Sequence, residues 1–343
     1  MSSSTVRWGL LGASTIAREW MAPAIKSAKG HEIVALHSRS SERGSAFASE
    51  FGIDTVCTDC AEFLALPQVD AVYISTTNDL HEAQALAAAK AGKHVLCEKP
   101  LALSVAGARR MVDACAAAGV VIGTNHHFRN SAWIRAAREA ITEGVIGRPL
   151  AARIAQAFLL PEELWGWRLN AADQGAGVIL DLTVHTADTL RFALDAEVEA
   201  VSAMSSANTL GEGDIEDAVL GTMQLSNGVL ASFYDAFNVA NGSTALEIFG
   251  SEGSIFIENA LDEHLTATAT VKRGHKEEPL PTSEPENLYV FGLRRFAEAM
   301  AGSGRPAASG EDGARSLAVA TAVLESVNSG VQIRVSWPEG DSE

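Results

Sequence analysis

The strongest constraint on this chain of 343 residues lies in its first third, where short and nearly uninterrupted apolar runs alternate with helical stretches. Residues 6–11, 32–36, 71–75, 94–97 and 120–122 read as strands. Helices are expected over about 15–28, 41–51, 80–91 and 104–118. Strands that carry no polar face are covered on both sides, which indicates a parallel sheet flanked by helices. Right-handed crossovers then make the sheet doubly wound, the Rossmann arrangement.

The pattern changes after about residue 127. A helix over 132–143 leads to a strand over 150–158 and a long helix beginning near Gly177. Strands then follow one another, at 218–225 and 229–237 across Ser226-Asn227-Gly228, and at 245–249 and 254–257 across residues 250–253. Asn-Gly between alternating runs is a hairpin signal. Helices return at 286–300 and 311–328, before a last strand at 331–335 and an acidic tail, 338–343, expected to fray. The expected architecture is an N-terminal doubly wound parallel sheet over residues 1–126, followed by an α+β domain with an open, mainly antiparallel sheet over 127–343. The length suits two domains rather than one core.

Composition narrows the classes. The chain is 47% hydrophobic and 20% charged, as a globular protein is. Its 26 basic and 43 acidic side chains give a net charge of −17, a field that repels phosphate backbones, so nucleic acid is not an expected partner. The start MSSSTVRWGL has no apolar leader core, and no run approaches ~18 apolar residues. A cytoplasmic protein with no membrane partner is expected. Cys57 and Cys60 form a C-x-x-C that reads as a strand-to-helix turn carrying two thiols. A redox pair or half a zinc site are the other readings. Cys97 and Cys115 read as small core residues.

Gly12-Ala13-Ser14-Thr15-Ile16-Ala17 stands after the first strand and opens the first helix, where a dinucleotide turn belongs. The usual G-x-G-x-x-G is G-x-S-x-x-A here. Gly12 makes the tight turn and Ala17 allows close helix–sheet packing. Ser14 replaces the middle glycine with a hydroxyl donor beside the helix N-terminus. The second strand ends His37-Ser38-Arg39-Ser40-Ser41-Glu42-Arg43, without the acid that usually holds an NAD ribose. Ser38, Arg39 and Arg43 suit a 2′-phosphate, so NADP(H) is the expected cofactor. The competing reading is a solvated helix start in which Glu42 pairs an arginine.

Three further segments resemble one family. They are Ser75-Thr76-Thr77-Asn78-Asp79-Leu80-His81, Gly92 to Pro100 with its Glu98-Lys99-Pro100, and Gly175-Ala176-Gly177 leading to Asp181 and His185. Together they resemble the Gfo/Idh/MocA oxidoreductases, an N-terminal Rossmann domain followed by an α/β sheet domain, and the resemblance covers essentially the whole chain. Ala176 departs from the middle glycine common in that family. The segments GASTIAREW, STTNDLH, KHVLCEKPLA, GTNHHFRN, GWRL and GVILDLTVHTADTLRF are similar to its NADPH-dependent branch of bacterial 1,5-anhydro-D-fructose reductases. That resemblance implies cofactor contacts at Ala13 to Ile16, Ser38, Arg39, Arg43, Thr76, Thr77, Asn78, His81, Glu98, Lys99, Asn125, Trp167, Arg168 and Tyr289. It also implies a cis Lys99–Pro100 bond.

Asp181 and His185 are four apart on one expected helix, so they project from one face. Lys99 ends a strand at the carboxyl edge where α/β sheets bind ligands. The expected catalytic set is Lys99, Asp181 and His185. The imidazole serves as general acid, the carboxylate orients it, and the ammonium polarises a carbonyl. The three meet only if the long helix packs over that edge. The bland alternative for Asp181 and His185 is an exposed polar pair. A zinc site drawn from His126, His127, Asp181 and His185 is a further alternative, disfavoured because adjacent histidines on a strand face opposite ways; no metal is expected. Asn125 and Arg129 read as ligand-side or hinge residues, Trp165 and Trp167 as a stacking wall or core. The expected activity is NADPH-dependent reduction of a sugar-derived carbonyl, 1,5-anhydro-D-fructose to 1,5-anhydro-D-mannitol. A dehydrogenase of another sugar or polyol and a non-catalytic dinucleotide sensor are the alternatives. A monomer and a homo-oligomer are equally compatible with the sequence.

Overall fold

The computed structural model describes residues 5–207, 210 and 215–337. The acidic tail at 338–343 lies outside the described residues. The chain divides into two compact units. The first runs to His127 and takes in Asn287–Ala314; the second holds Phe128–Glu286 and continues from Arg315. A single boundary near residue 126 therefore leaves out a later return of the chain to the first unit.

The first unit is built on β1 (Val6–Leu11), β2 (His31–His37), β3 (Val56–Cys57), β4 (Ala71–Ile74), β5 (His94–Cys97) and β6 (Ile122–Thr124). All pair in parallel, in the order β3-β2-β1-β4-β5-β6, the doubly wound sequence in which the strand order reverses beside β1. The apolar runs become central strands because both faces are covered: β4 is buried at every residue and β1 at five of six. Trp8 is fully buried, and its ring meets Phe296 of the helix Leu288–Met300 at 5.4 Å, which draws that helix into this unit.

Helices begin and end on local chemistry. Ser40 caps α2 (Ser41–Phe51) by accepting from Arg43 N, and Gly52 closes it at φ 71°. The C-x-x-C is the turn expected: Cys57 ends β3, Cys60 opens a short helix, and Asp59 caps it by accepting from Glu62 N at 2.8 Å. Burial pushes both thiols above their ordinary pKa, the opposite of an activated redox pair. β6 starts two residues later than its apolar run. Val120 N is still bonded to Cys115 O at the end of the preceding helix, so the run is shared between helix end and strand.

Among the described residues the second unit carries nine strands: β7 (Pro149–Ala157), β8 (Val198–Ala207), β9 (Glu216–Leu225), β10 (Leu230–Ala236), β11 (Thr244–Gly250), β12 (Ser254–Glu258), β13 (Thr268–Arg273), β14 (Lys276–Pro279) and β15 (Ile333–Arg334). Their order is β14-β13-β12-β11-β7-β10-β9-β8-β15. Every neighbouring pair is antiparallel except β7 with β10. The expected hairpin joins β9 to β10, with Gly228 at φ 86°. β3, β8, β13 and β14 carry no apolar run strong enough to stand out in the sequence. One face of the sheet is open, leaving Met204, Leu220 and Leu230 exposed; the long helix expected near Gly177 is buried along nearly its whole length.

That helix and the first one share a feature that periodicity does not reveal. The segments Ala17–Met21 and Ile179–Thr183 are wound as π-turns and pass directly into the α-helices Ala22–Ser27 and Val184–Leu194. His126 and His127 do not lie on a strand: β6 has ended, and His127 opens a 3-10 turn, His127–Asn130. Among the described residues no helix is long and apolar enough to cross a membrane.

Candidate active site

In the first unit the turn after β1 is made as its sequence requires. Gly12 sits at φ 111°, and a Cβ there would stand 3.1 Å from the carbonyl oxygen of Ser75. Ser14 donates its hydroxyl to Ser75 Oγ at 2.8 Å and accepts from Ala17 N at 3.1 Å, which caps the first helical turn. Ala13, Thr15 and Ile16 keep partial or full exposure around it. At the tip of β2, Ser38 is buried and bonded to its own loop through Ser40 O, whereas Arg39 and Arg43 are exposed. Among the described residues neither arginine forms an ion pair, so the proposed pairing with Glu42 is not made.

The carboxyl ends of β4 and β5 form one polar cluster. Glu98 is buried. Its Oε1 accepts from Tyr73 Oη at 2.5 Å and from Asn125 Nδ2 at 2.6 Å, and its Oε2 accepts from Lys99 N at 3.3 Å. The Lys99–Pro100 peptide bond is cis. Burial and the Glu98 charge hold the Tyr73 hydroxyl protonated, well above the ordinary tyrosine range, so Tyr73 is the fixed donor. His81 is fully buried with Nδ1 3.0 Å from Pro100 O and Nε2 3.2 Å from Thr76 O. Burial lowers its pKa, and both ring nitrogens are engaged by backbone rather than turned outward. Thr76 Oγ1 donates to Gln84, Thr77 precedes the helix Asn78–Lys90, and Asn78 is buried at its start. Tyr289 is buried between Trp20, at 5.8 Å, and His127, at 5.0 Å.

In the second unit Asp181 and His185 are not an exposed pair: both are buried, at 6% and 3% exposure. Arg168 Nε donates to Asp181 Oδ2 at 3.0 Å, and the guanidinium lies 4.7 Å from the Trp167 ring. Trp165 is turned away and donates to Leu160 O at 2.9 Å. Phe128 meets the His185 ring edge-on at 4.9 Å. Arg129, next in sequence, grips Asp188 through two bonds of 2.6 and 2.8 Å, which ties the 3-10 turn to the helix one turn beyond His185. Gly177 lies at φ 103°, and a Cβ there would collide with the Glu216 carboxylate, which accepts from Ile179 N. Ala176 is half-buried and bonded through its N–H to Ala171 O. Among the described residues no group of three or more His, Cys, Asp or Glu side chains is arranged to hold a metal ion.

Tyr73, Asp235 and Glu216 escape a reading of the sequence by motif. Asp235 leaves a trace: it follows Ala231 and Phe233 at inward positions of a strand, where an acid is out of place.

A doubly wound sheet with a glycine turn after β1, together with a second unit on a large mixed sheet, defines a protein of the Rossmann dinucleotide-binding type. Residues 6–126 match the model of an oxidoreductase family with an NAD-binding Rossmann fold, and residues 134–256 match the GFO/IDH/MocA C-terminal domain. The chain belongs to the Gfo/Idh/MocA family. It is 50% identical over 324 residues to a 1,5-anhydro-D-fructose reductase of Ensifer adhaerens, covering 94% of this chain and 97% of the relative. It is 30% identical to a myo-inositol 2-dehydrogenase of Thermotoga maritima, covering 81% and 83%. Among solved structures it resembles an aldose-aldose oxidoreductase of Caulobacter crescentus with a TM-score of 0.89 at 25% identity, covering 96% and 99%.

Proposed function

We propose that this protein reduces a sugar-derived carbonyl with NADPH, and that the substrate is 1,5-anhydro-D-fructose, converted to 1,5-anhydro-D-mannitol. The observation that carries the reading is the 50% identity, over nearly the full length of both chains, to a reductase of that substrate. The preference for NADPH is supported by Arg39 and Arg43, two exposed guanidinium groups without ion-pair partners among the described residues, at a strand tip that lacks an acid.

The turn at Gly12 and the cluster around Glu98 fit a nicotinamide dinucleotide: close backbone approach at the first and fixed polar groups at the second. The dinucleotide, when bound, supplies the hydride. Lys99 places its ammonium against the carbonyl oxygen, where negative charge develops, and Glu98 with Asn125 holds the segment from which Lys99 projects. His185 gives its ring proton to the alkoxide oxygen, since an imidazole exchanges protons near neutral pH. Asp181, steadied by Arg168, fixes the direction of that ring and favours its protonated form.

The test is consumption of NADPH, followed by its absorbance, against a panel of keto-sugars, with NADH in parallel. Fastest turnover with 1,5-anhydro-D-fructose and NADPH is expected. A clear preference for NADH contradicts the reading of Arg39 and Arg43. Tight dinucleotide binding without consumption replaces the enzyme with a sensor. Likeness to a myo-inositol 2-dehydrogenase favours a second reading, oxidation of a polyol or another sugar. The same panel run with NADP+ and polyols decides between them.

A further inference from the structure

Asp235 is a buried acid that the proposed reaction does not use. It lies on β10, between β7 and β9 in the middle of the large sheet, with no exposure. Each of its oxygens accepts one hydroxyl from the helix that bears Asp181 and His185. Thr183 Oγ1 reaches Oδ2 and Thr186 Oγ1 reaches Oδ1, both at 2.7 Å. Both threonines are fully buried, and among the described residues no cation pairs with the carboxylate.

The grip falls at a particular place. Thr183 is the last residue of the π-turn Ile179–Thr183, and Thr186 stands in the first turn of the α-helix Val184–Leu194. A π-turn is a wide, weakly held winding, and one strand side chain spans the point where it tightens. The start of the same segment is held by Glu216 of β9 through Ile179 N. Thr183 and Thr186 both meet Asp235 on the side toward the sheet, while Asp181 of the same π-turn is held separately by Arg168. An apolar residue at 235 would fill the space but free two buried hydroxyls, which then compete for carbonyls of their own helix and bend it.

We propose that Asp235 is a positioning residue: by holding Thr183 and Thr186 it fixes the change of pitch in the helix and so the directions in which Asp181 and His185 leave it. The catalytic part of this inference rests on the proposed roles of that pair. The positioning part does not, and it has a readout of its own.

Asp235→Leu removes both acceptors. Asp235→Asn keeps one and adds an amide donor that a threonine hydroxyl accepts. In the leucine variant kcat is expected to fall about 10²-fold, the scale of a 1 Å misplacement, with KM for NADPH and for the keto-sugar held within about threefold. The asparagine variant is expected to restore most of it. Without substrate, the imidazole resonances of His185, assigned by their loss in His185→Ala, are expected to move in the leucine variant and to stay near wild type in the asparagine one. If Asp235→Leu does not fold, Thr183→Val with Thr186→Val removes the same two bonds at constant shape and takes its place. Wild-type kcat with unmoved His185 resonances overturns the proposal, as does an equal loss in the asparagine and leucine variants. If wild type itself consumes no NADPH with any keto-sugar, the resonances decide alone. Movement confined to the leucine variant sustains the positioning role while the reaction falls, and no movement ends both.

Discussion

Arg168 and Asp181 form an ion pair, with Nε 3.0 Å from Oδ2 and the carboxylate side chain only 9% exposed. Asp181 is therefore held by a residue 13 positions earlier in the chain. Removing the guanidinium leaves a buried carboxylate short of a charged donor. Arg168→Met should lower stability by about 1–3 kcal/mol, at the modest end because Arg168 is itself 24% exposed. Urea unfolding checks this, and a midpoint equal to wild type would show that water replaces the guanidinium at no cost.

His185→Ala should depress kcat by about 10²–10⁴ while dinucleotide affinity stays at the wild-type value. Turnover and fluorescence titration of the reduced cofactor measure the two separately. Undiminished turnover would remove the imidazole from the role of proton donor.

Arg39→Ala and Arg43→Ala are each expected to weaken NADPH binding without affecting NADH. A charge-assisted bond to a phosphate is worth about 1.5–3 kcal/mol, so each variant should raise the Kd by roughly 10- to 100-fold. Equal weakening of both nucleotides would mean that the arginines do not read the 2′-phosphate.

Tyr73→Phe removes one of two donors from a single oxygen of the buried Glu98 carboxylate. A loss of about 1–3 kcal/mol in thermal or urea stability is expected, because a buried carboxylate oxygen loses one of its donors. Retention of full stability would show that Asn125 alone satisfies that oxygen.

Burial raises the Asp235 carboxyl from 3.8 to about 7, against the pull of its two threonine hydroxyls. A folded-state pKa above the unfolded one favours folding fully at low pH, and that advantage is lost as pH climbs from about 4 to about 7. The shift is worth about 4 kcal/mol. Asp235→Asn does not ionise, so its stability relative to wild type should rise across that window and level off above it. A difference that is the same at pH 4 and pH 8 would mean the carboxyl does not titrate there.

The first sheet was legible because its evidence is local. Continuous apolar runs and a glycine after β1 act within a few neighbours. The same holds for the C-x-x-C turn and the Asn-Gly hairpin. Residues with a local signature stood out as candidates in the same way: Gly12, Ser14, the Glu98-Lys99-Pro100 run, Asp181 and His185.

What escaped depends on partners far along the chain. Tyr73 reads as one more apolar strand residue until β5 lies beside β4 and brings Glu98 to its hydroxyl. The helix Leu288–Met300 stands between the two stretches of the second unit in sequence, yet Phe296 packs on Trp8 of β1. β7 enters the large sheet between β11 and β10 and pairs in parallel with β10, which no hairpin pattern signals. The two carbonyls that hold the His81 ring, of Pro100 and Thr76, are likewise brought to it by the fold.

The sequence by itself determined the periods, the turns and the residue types that chemistry needs, because strand alternation, helix caps and glycine turns are set by contiguous residues. Tertiary structure alone decided which buried acid meets which donor: Glu98 with Tyr73, Asp181 with Arg168, Asp235 with two threonines. A carboxylate taken out of water must find its hydrogen bonds wherever the fold brings them, and that distance is not written in its neighbours.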